Sequence, residues 1–231
     1  MIKTNVLPAI TTFQSDWRAK IKEIDDIKIE EIALFPTVLN LEERKEYYDL
    51  ISKTGIKSIP HVHIRDDYEE WELDFLSKYY NSKVFNTHAN PATPALLDRC
   101  SKYRKQIFIE NCFVIDKKFF EQVELCGGIC IDFSHWCDAR LLKWRGYEKF
   151  TERIDNYKVG CSHASAILKF PYKDARYGIM YNDHEAKNVN DYDYLKEYLE
   201  YIPDYVSIEL TNPLSFQMEV KNYLEKRILN I

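Results

Sequence analysis

Eight short runs of strand-forming residues, each followed by a stretch long enough for a helix, limit what this chain can fold into. They lie at 5–10 (NVLPAI), 31–38 (EIALFPTV), 58–64 (SIPHVHI), 83–88 (KVFNTH), 107–111 (IFIEN), 128–133 (GICIDF), 158–163 (KVGCSH) and 205–210 (YVSIEL). All are rich in Val, Ile, Phe or Tyr and short enough to be strands. The intervening segments carry helix signals. Asn40 and Glu43 stand at capping-box spacing, acids open 66–80 where they suit a helix dipole, and Asn-Pro pairs precede the helical patterns at 90–103 and 211–227. Strands joined through helices pair in parallel by right-handed crossovers.

Eight such units with no break in composition predict an α/β fold, a single-domain closed (β/α)8 barrel spanning residues 1–231. An open doubly wound sheet is the rival, but neither a G-x-G-x-x-G nor a Walker-type loop occurs to support it. One connection is unusually long. Residues 191–202 (DYDYLKEYLEYI) read as its crossover helix, which leaves 164–190 as a long loop over the barrel mouth, and loops of that length are commonly functional.

A formal charge of −5 argues against a uniformly basic nucleic-acid surface. The N-terminus lacks the apolar core of a signal peptide, and no apolar run approaches membrane-spanning length. The expectation is a cytoplasmic protein with no membrane partner, whose six cysteines show no repeated C-x-x-C pair and are reduced, buried thiols.

Polar residues fall in a repeated place. His61 and His63 lie in the third run, His88 ends the fourth, Glu110 closes the fifth and Asp132 the sixth, with His135 just beyond. His163 ends the seventh run, Glu209 closes the eighth, and His184 lies in the long loop. Barrel active sites are built at the C-terminal ends of the strands, with alternate residues pointing inward. Phe108 and Glu110 share a face, as do Cys130 and Asp132, and Ser207 and Glu209. Asp132 and His135 taken alone could be a strand end and a helix cap. Taken with the other strand ends they form a set of acids and imidazoles too costly to desolvate without a positive charge at the centre. A mixed imidazole–carboxylate set suits zinc, manganese or iron, and it exceeds what one tetrahedral ion needs.

The pattern resembles the xylose-isomerase-like TIM barrels, and within them the endonuclease-IV family of abasic-site nucleases. The segments that carry the likeness are IPHVH, FNTH, IFIEN, GICIDFSH, VGCSH and SIELTNP, in that order between about residue 30 and 215. The resemblance implies His61, His88, Glu110, Asp132, His135, His163, His184 and Glu209 as metal ligands, with Glu110 bridging two ions and Asp132 and His135 serving different ones. It favours His61 over His63 in the third strand, although both share one parity. The chain departs from the family at HASA after His163. It departs again at YNDHEA, where Asn182 stands two residues before His184 and Asp183 becomes the substitute ligand. Arginine-bearing DNA-contact loops have no counterpart.

The function this implies is a metal-dependent hydrolase of phosphate esters or phosphodiesters. It would use two or three zinc ions, with manganese or iron as alternatives, on a small phosphorylated substrate or nucleic acid. The alternative is a sugar or sugar-phosphate isomerase or epimerase. There Glu110, Asp132, His163 and Glu209 would hold one ion, Glu110 and Glu209 would exchange a proton at carbon, the early histidines His61 and His88 would be substrate contacts or bystanders, and His63 is a substrate-contact candidate. A second alternative is a non-catalytic ligand-binding barrel. Arg176 and Tyr177 in the long loop are further substrate-contact candidates.

Overall fold

The computed structural model describes residues 4–231, so the first three positions of the predicted domain lie outside the described residues. Each of the eight predicted runs overlaps one barrel strand, with β1 and β7 reaching one residue further than expected: β1 (Asn5–Thr11), β2 (Ala33–Phe35), β3 (His61–His63), β4 (Val84–His88), β5 (Ile107–Glu110), β6 (Ile129–Asp132), β7 (Val159–Ala164) and, after an inserted pair, β10 (Tyr205–Ile208). They close in the order β1-β10-β7-β6-β5-β4-β3-β2, every pairing parallel. The outer layer holds α1 (Trp17–Ile27), α2 (Leu41–Ser52), α3 (Glu70–Tyr80), α4 (Thr93–Arg99), α5 (Lys117–Glu124), α6 (Phe133–Leu141), α7 (Tyr147–Arg153) and α8 (Leu214–Tyr223). The molecule is a single-domain (β/α)8 barrel. Among the described residues no helix is long and apolar enough to cross a membrane, and all six cysteines are free.

Local chemistry sets several of these elements. The capping box expected at α2 is formed: Asn40 Oδ1 accepts from the Glu43 amide at 3.1 Å, and Glu43 Oε2 accepts from the Asn40 amide at 2.8 Å. Behind it Arg44, fully buried, forks onto Glu72 of α3 through two bonds of 2.8 and 3.0 Å and fixes the two helices against each other.

The barrel interior is filled from its floor. Leu7, Ala9, Ala33 and Phe35 form one cluster, and Val84, Phe108, Cys130 and Cys161 form another, with Tyr205 packed against both. These are the inward parities of their strands. Between β6 and β7 the register skips Gly160, so that Cys130 faces Cys161 directly. Glycine is required there, because a Cβ at position 160 would stand 2.0 Å from the Phe108 ring.

Two connections differ from expectation. Residues 164–190 are not an irregular loop: β8 (Ala166–Asp174) and β9 (Gly178–Asp183) form an antiparallel hairpin. Asp174 Oδ1 accepts from the amides of Arg176 and Tyr177, both at 2.7 Å, and Gly178 takes φ +86°, which closes the tight turn. Pro171 disguises the strand in the sequence, and it is tolerated because the register jumps from Ile167 to Tyr172 and leaves it unpaired. The crossover 191–202 is a pair of 3-10 segments, Val189–Glu197 and Leu199–Tyr201, rather than an α-helix. Tyr192, Leu195 and Tyr198 recur every third residue and are all buried, which matches three residues per turn rather than 3.6.

Candidate metal centre

Glu110 stands at the end of β5, buried, and gathers imidazoles from three other strands and one helix. Its Oε2 lies 2.9 Å from His63 Nε2 and 3.0 Å from His163 Nε2; its Oε1 lies 3.2 Å from His88 Nε2 and 4.0 Å from His135 Nδ1. Beside it Asp132 divides its oxygens. Oδ1 caps α6 by accepting from the His135 amide at 2.8 Å, while Oδ2 faces the centre, 3.2 Å from His135 Nδ1 and 3.4 Å from His163 Nδ1. The strand-end and helix-cap role of Asp132 and its place in the cluster are therefore both real. Glu209 follows β10, its amide still paired to Ala164 of β7, and brings Oε2 to 3.0 Å from His163 Nδ1 and 3.7 Å from His184 Nε2.

The electrostatics follow from this crowding. Burial alone would lift the Glu110 and Glu209 carboxyls, but the facing imidazoles hold both well below the usual range. Burial alone would lower His163, yet the carboxylates of Glu110, Asp132 and Glu209 raise it well above an ordinary imidazole. Glu110 raises His88, and Glu209 raises His184 against its burial. His63 goes the other way, lowered by burial. Phe35 places its ring edge against His61, His63 and His163, with centroids 5.3–5.7 Å apart.

The test of whether these residues suit a metal lies in their unpaired atoms. Asp132 Oδ2 and both nitrogens of His163 are buried without a hydrogen-bond partner, although imidazole nitrogens lie 3.2–3.4 Å from the first and carboxylate oxygens 3.0–3.4 Å from the others. The distances are met and the directions are not. Donor atoms that crowd together while aiming elsewhere are what a shared cation requires, and buried polar atoms rarely stay orphaned otherwise. Glu110, Asp132 and His163 offer ligand atoms within 4.8 Å of one another; so do His63, His88 and Glu110, and so do Glu110, Cys112 and His135. Glu110 is common to all three groups. The cluster suits a divalent metal.

The remaining candidates separate. His61, favoured in the sequence, is not beside Glu110. It lies one inward position deeper, paired in register with Val84, and both ring nitrogens are engaged by Ser207 and Asn86. His63 occupies the place beside Glu110 instead. Asp183 accepts from the Glu185 amide at 2.9 Å, a local turn, and reaches the site only as part of the cavity wall. Arg176 and Tyr177 sit at the hairpin tip and line the same cavity, where the Tyr177 ring stacks on Phe113 at 4.6 Å.

The cavity above the cluster encloses roughly 420 Å³. One wall is aromatic, with Phe113 against His135 and Trp144 as well as Tyr177, and Phe13 lies edge-on to His184. Asp174, Asp183 and Glu185 add negative charge, and among the described lining residues Arg176 is the one Lys or Arg side chain. The hairpin that carries it is docked by Asp138 of α6, whose Oδ1 accepts from the Tyr181 amide at 2.8 Å. Asn86, Asn111 and Asp138 were not singled out in the sequence. Asn86 shares the inward parity of His88, and Asn111 follows Glu110, exchanging hydrogen bonds of 2.7 and 2.9 Å with the Asp132 backbone.

Fold and site together define a (β/α)8 barrel with a carboxylate–imidazole centre at the C-terminal mouth. Among solved structures, the fold is similar to that of a xylose isomerase domain protein from Planctomyces limnophilus, with a TM-score of 0.61 and 14% identity over 100% of both chains. It is also similar to the probable 3-DHS dehydratase AsbF of Bacillus anthracis, a protein involved in petrobactin synthesis, with a TM-score of 0.54 and 11% identity over 97% of this chain and 99% of that one. At these identities the likeness is one of fold. No protein-family model matches the chain, and no curated protein matches it significantly.

Proposed function

We propose that the protein is a divalent-metal-dependent isomerase or lyase that moves a proton at a carbon next to a carbonyl in a small polyhydroxylated substrate. The observation that carries this reading is the convergence of Glu110, Asp132, His163 and Glu209 with His163 and Asp132 Oδ2 left unpaired. Those four residues would hold the ion, with zinc, manganese or iron suited to the donor set. When bound, the ion polarises a carbonyl and its neighbouring hydroxyl. Glu110 and Glu209 would face the substrate carbon as the pair that takes the proton and returns it to a neighbouring carbon in an isomerase or to a departing hydroxyl, released as water, in a lyase, and His63 and His88 would line the substrate's other side.

The cavity supports a small molecule over a polymer, since its volume falls in the ordinary ligand range. Its aromatic wall suits the apolar face of a ring, and Arg176 suits one anionic group. The fold likeness to a protein described as an isomerase-domain protein and to one described as a probable dehydratase points the same way.

A phosphoester hydrolase is the second reading, and one observation favours it: Glu110 is shared with His63 and His88 outside the quartet, as a carboxylate bridging two ions would be. It ranks second because the mouth offers one guanidinium among several carboxylates, where a phosphodiester backbone needs basic partners.

The test is solvent-deuterium incorporation, followed by NMR, into a panel of ketoses, ketose phosphates and 3-dehydroshikimate in the presence of Mn²⁺ or Zn²⁺. Exchange at carbon that is lost in Glu209→Gln is expected. No exchange, with cleavage of bis(p-nitrophenyl) phosphate or an abasic oligonucleotide instead, would move the assignment to hydrolysis.

A further inference from the structure

Below the mouth, a line of buried side chains crosses the barrel interior from Ser207 of β10 to His61 of β3 and continues along the neighbouring strands β4 and β5. Ser207 Oγ lies 2.7 Å from His61 Nδ1, His61 Nε2 lies 2.9 Å from Asn86 Oδ1, and Asn86 Nδ2 donates to Glu110 Oε2 at 2.8 Å. All four residues are buried, at 0–1% exposure, so these bonds are shielded from bulk solvent.

The carboxylate end dictates every proton in the line. An ionised Glu110 only accepts, so Asn86 must turn its amide NH₂ toward it. The Asn86 carbonyl then needs a donor, and His61 supplies one only if Nε2 carries the proton. Nδ1 is left with its lone pair and takes the Ser207 hydroxyl proton. A flipped Asn86 would aim its carbonyl at the Glu110 carboxylate in a dry interior, and unless His61 exchanged its tautomer as well, its NH₂ would meet an imidazole N–H and a second bond would be lost.

We propose that His61 is a positioning residue. By holding Asn86 in one orientation it fixes the carboxylate around which the metal centre is built. The role rests on the reading of Glu110 as a metal ligand. Histidine suits the position because one ring offers an acceptor to Ser207 and a donor to Asn86 at fixed separation, while Phe35 packs the ring edge-on at 5.5 Å. The inference also bears on Cys130 and Cys161, whose sulfurs lie within 4.8 Å of a His61 ring nitrogen and of each other. A soft ion in that trio would take one imidazole nitrogen away from Ser207 or Asn86 and leave the deserted partner buried and unsatisfied. Both thiols pack with Val84 and Phe108 below the centre.

Two measurements test this, and the first needs no metal. Long-range ¹H–¹⁵N spectra of the metal-free protein report the His61 tautomer. The Nε2–H form is expected, and an Nδ1–H or doubly protonated ring at neutral pH overturns the relay even if the protein proves to bind no metal. The second is calorimetric Zn²⁺ titration of wild type, His61→Gln, His61→Leu and Ser207→Ala. His61→Leu is expected to weaken binding about 10–100-fold, as losses of outer hydrogen-bond partners do. His61→Gln, which keeps a donor for Asn86, recovers most of that loss, and Ser207→Ala falls between. Equal affinity in wild type and a folded His61→Leu protein overturns the proposal. So does a sulfur-to-cobalt charge-transfer band in the Co²⁺-loaded protein that vanishes in Cys161→Ser, since His61 would then be a ligand. No Zn²⁺ uptake by wild type would refute the reading of Glu110 as a ligand and leave the tautomer to judge the hydrogen-bond line by itself.

Discussion

Glu110 Oε2 and His163 Nε2 lie 3.0 Å apart across the barrel from β5 to β7, yet neither His163 nitrogen is hydrogen-bonded. A carboxylate and an imidazole this close would ordinarily align as donor and acceptor. Here Glu110 is also claimed by His63, His88 and Asn86, and His163 also faces Asp132 and Glu209. Asn86 is hydrogen-bonded to the carboxylate, whereas His163 and Asp132 Oδ2 stay unpaired amid these neighbours, an arrangement that suits a cation.

Metal uptake is expected to expel protons. His163 is raised above its ordinary value near 6.5 by Glu110, Asp132 and Glu209 against its burial, so the metal-free protein carries a proton there at neutral pH. Because the folded value is the higher one, this proton's contribution to the metal-free fold is complete below about pH 6.5 and is lost as pH rises through the raised value. Metal affinity should move oppositely, tightening by about tenfold per pH unit for each proton displaced. Calorimetry in buffers of different ionisation enthalpy counts those protons. Release of none, with affinity flat in pH, would contradict the charge balance described above.

Gly160→Ala should destabilise the barrel by about 1–3 kcal/mol, the usual cost of overpacking. The added Cβ has no room beside the buried Phe108 ring. Shrinking that ring with Phe108→Leu in the Gly160→Ala background should recover part of the loss, so the double-mutant cycle by urea denaturation should show coupling. Simple additivity would mean that Phe108 is not what the methyl meets.

The hairpin should depend on an acceptor at Asp138 and not on its charge. Burial lifts this carboxyl to about 6, and Oδ2 is buried without a partner. Asp138→Asn keeps an oxygen for the Tyr181 amide and should leave amide exchange at Tyr181 slow; Asp138→Leu should speed it. With a folded value above the unfolded one near 3.8, the native carboxyl gives its full contribution below about pH 4 and loses it as pH rises through 6. Any stability gain of the Asn variant should therefore open over that interval and stay level above it. Slow exchange in the Leu variant would show that the hairpin docks by other means.

Breaking the Arg44–Glu72 fork from one side should cost more than removing both charges. Both side chains are fully buried, and Arg44→Met leaves Glu72 uncompensated, a loss of about 3–5 kcal/mol. Glu72→Gln in that background should restore stability in part. Thermal melts of the three variants check the order.

Much of the barrel was legible because each strand is a compact run of strand formers and each gap is helix-sized. Parity placed Glu110, Asp132 and Glu209 on the inward face, and Asn40 with Glu43 announced the start of α2. Parity could not choose between His61 and His63, since two residues along a strand change depth by about 6.6 Å without changing face. In the structure His63 meets Glu110, whereas His61 is held by Ser207 and Asn86. Asn86 itself was readable as inward from its spacing to His88, but an amide among histidines and acids does not advertise itself as part of a site. The hairpin was hidden by Pro171 at an unpaired position, and the three-residue spacing of Tyr192, Leu195 and Tyr198 was masked by a composition that also suits an α-helix.

The most direct test of the central claim is the metal content per chain, by native mass spectrometry, of wild type and Glu110→Gln prepared without chelator and loaded with Zn²⁺ or Mn²⁺. About one tightly held ion in the wild type and none in the variant is the expected result, given one compact quartet around His163. No uptake by the wild type, or equal uptake by the variant, would contradict a metal centre organised by Glu110.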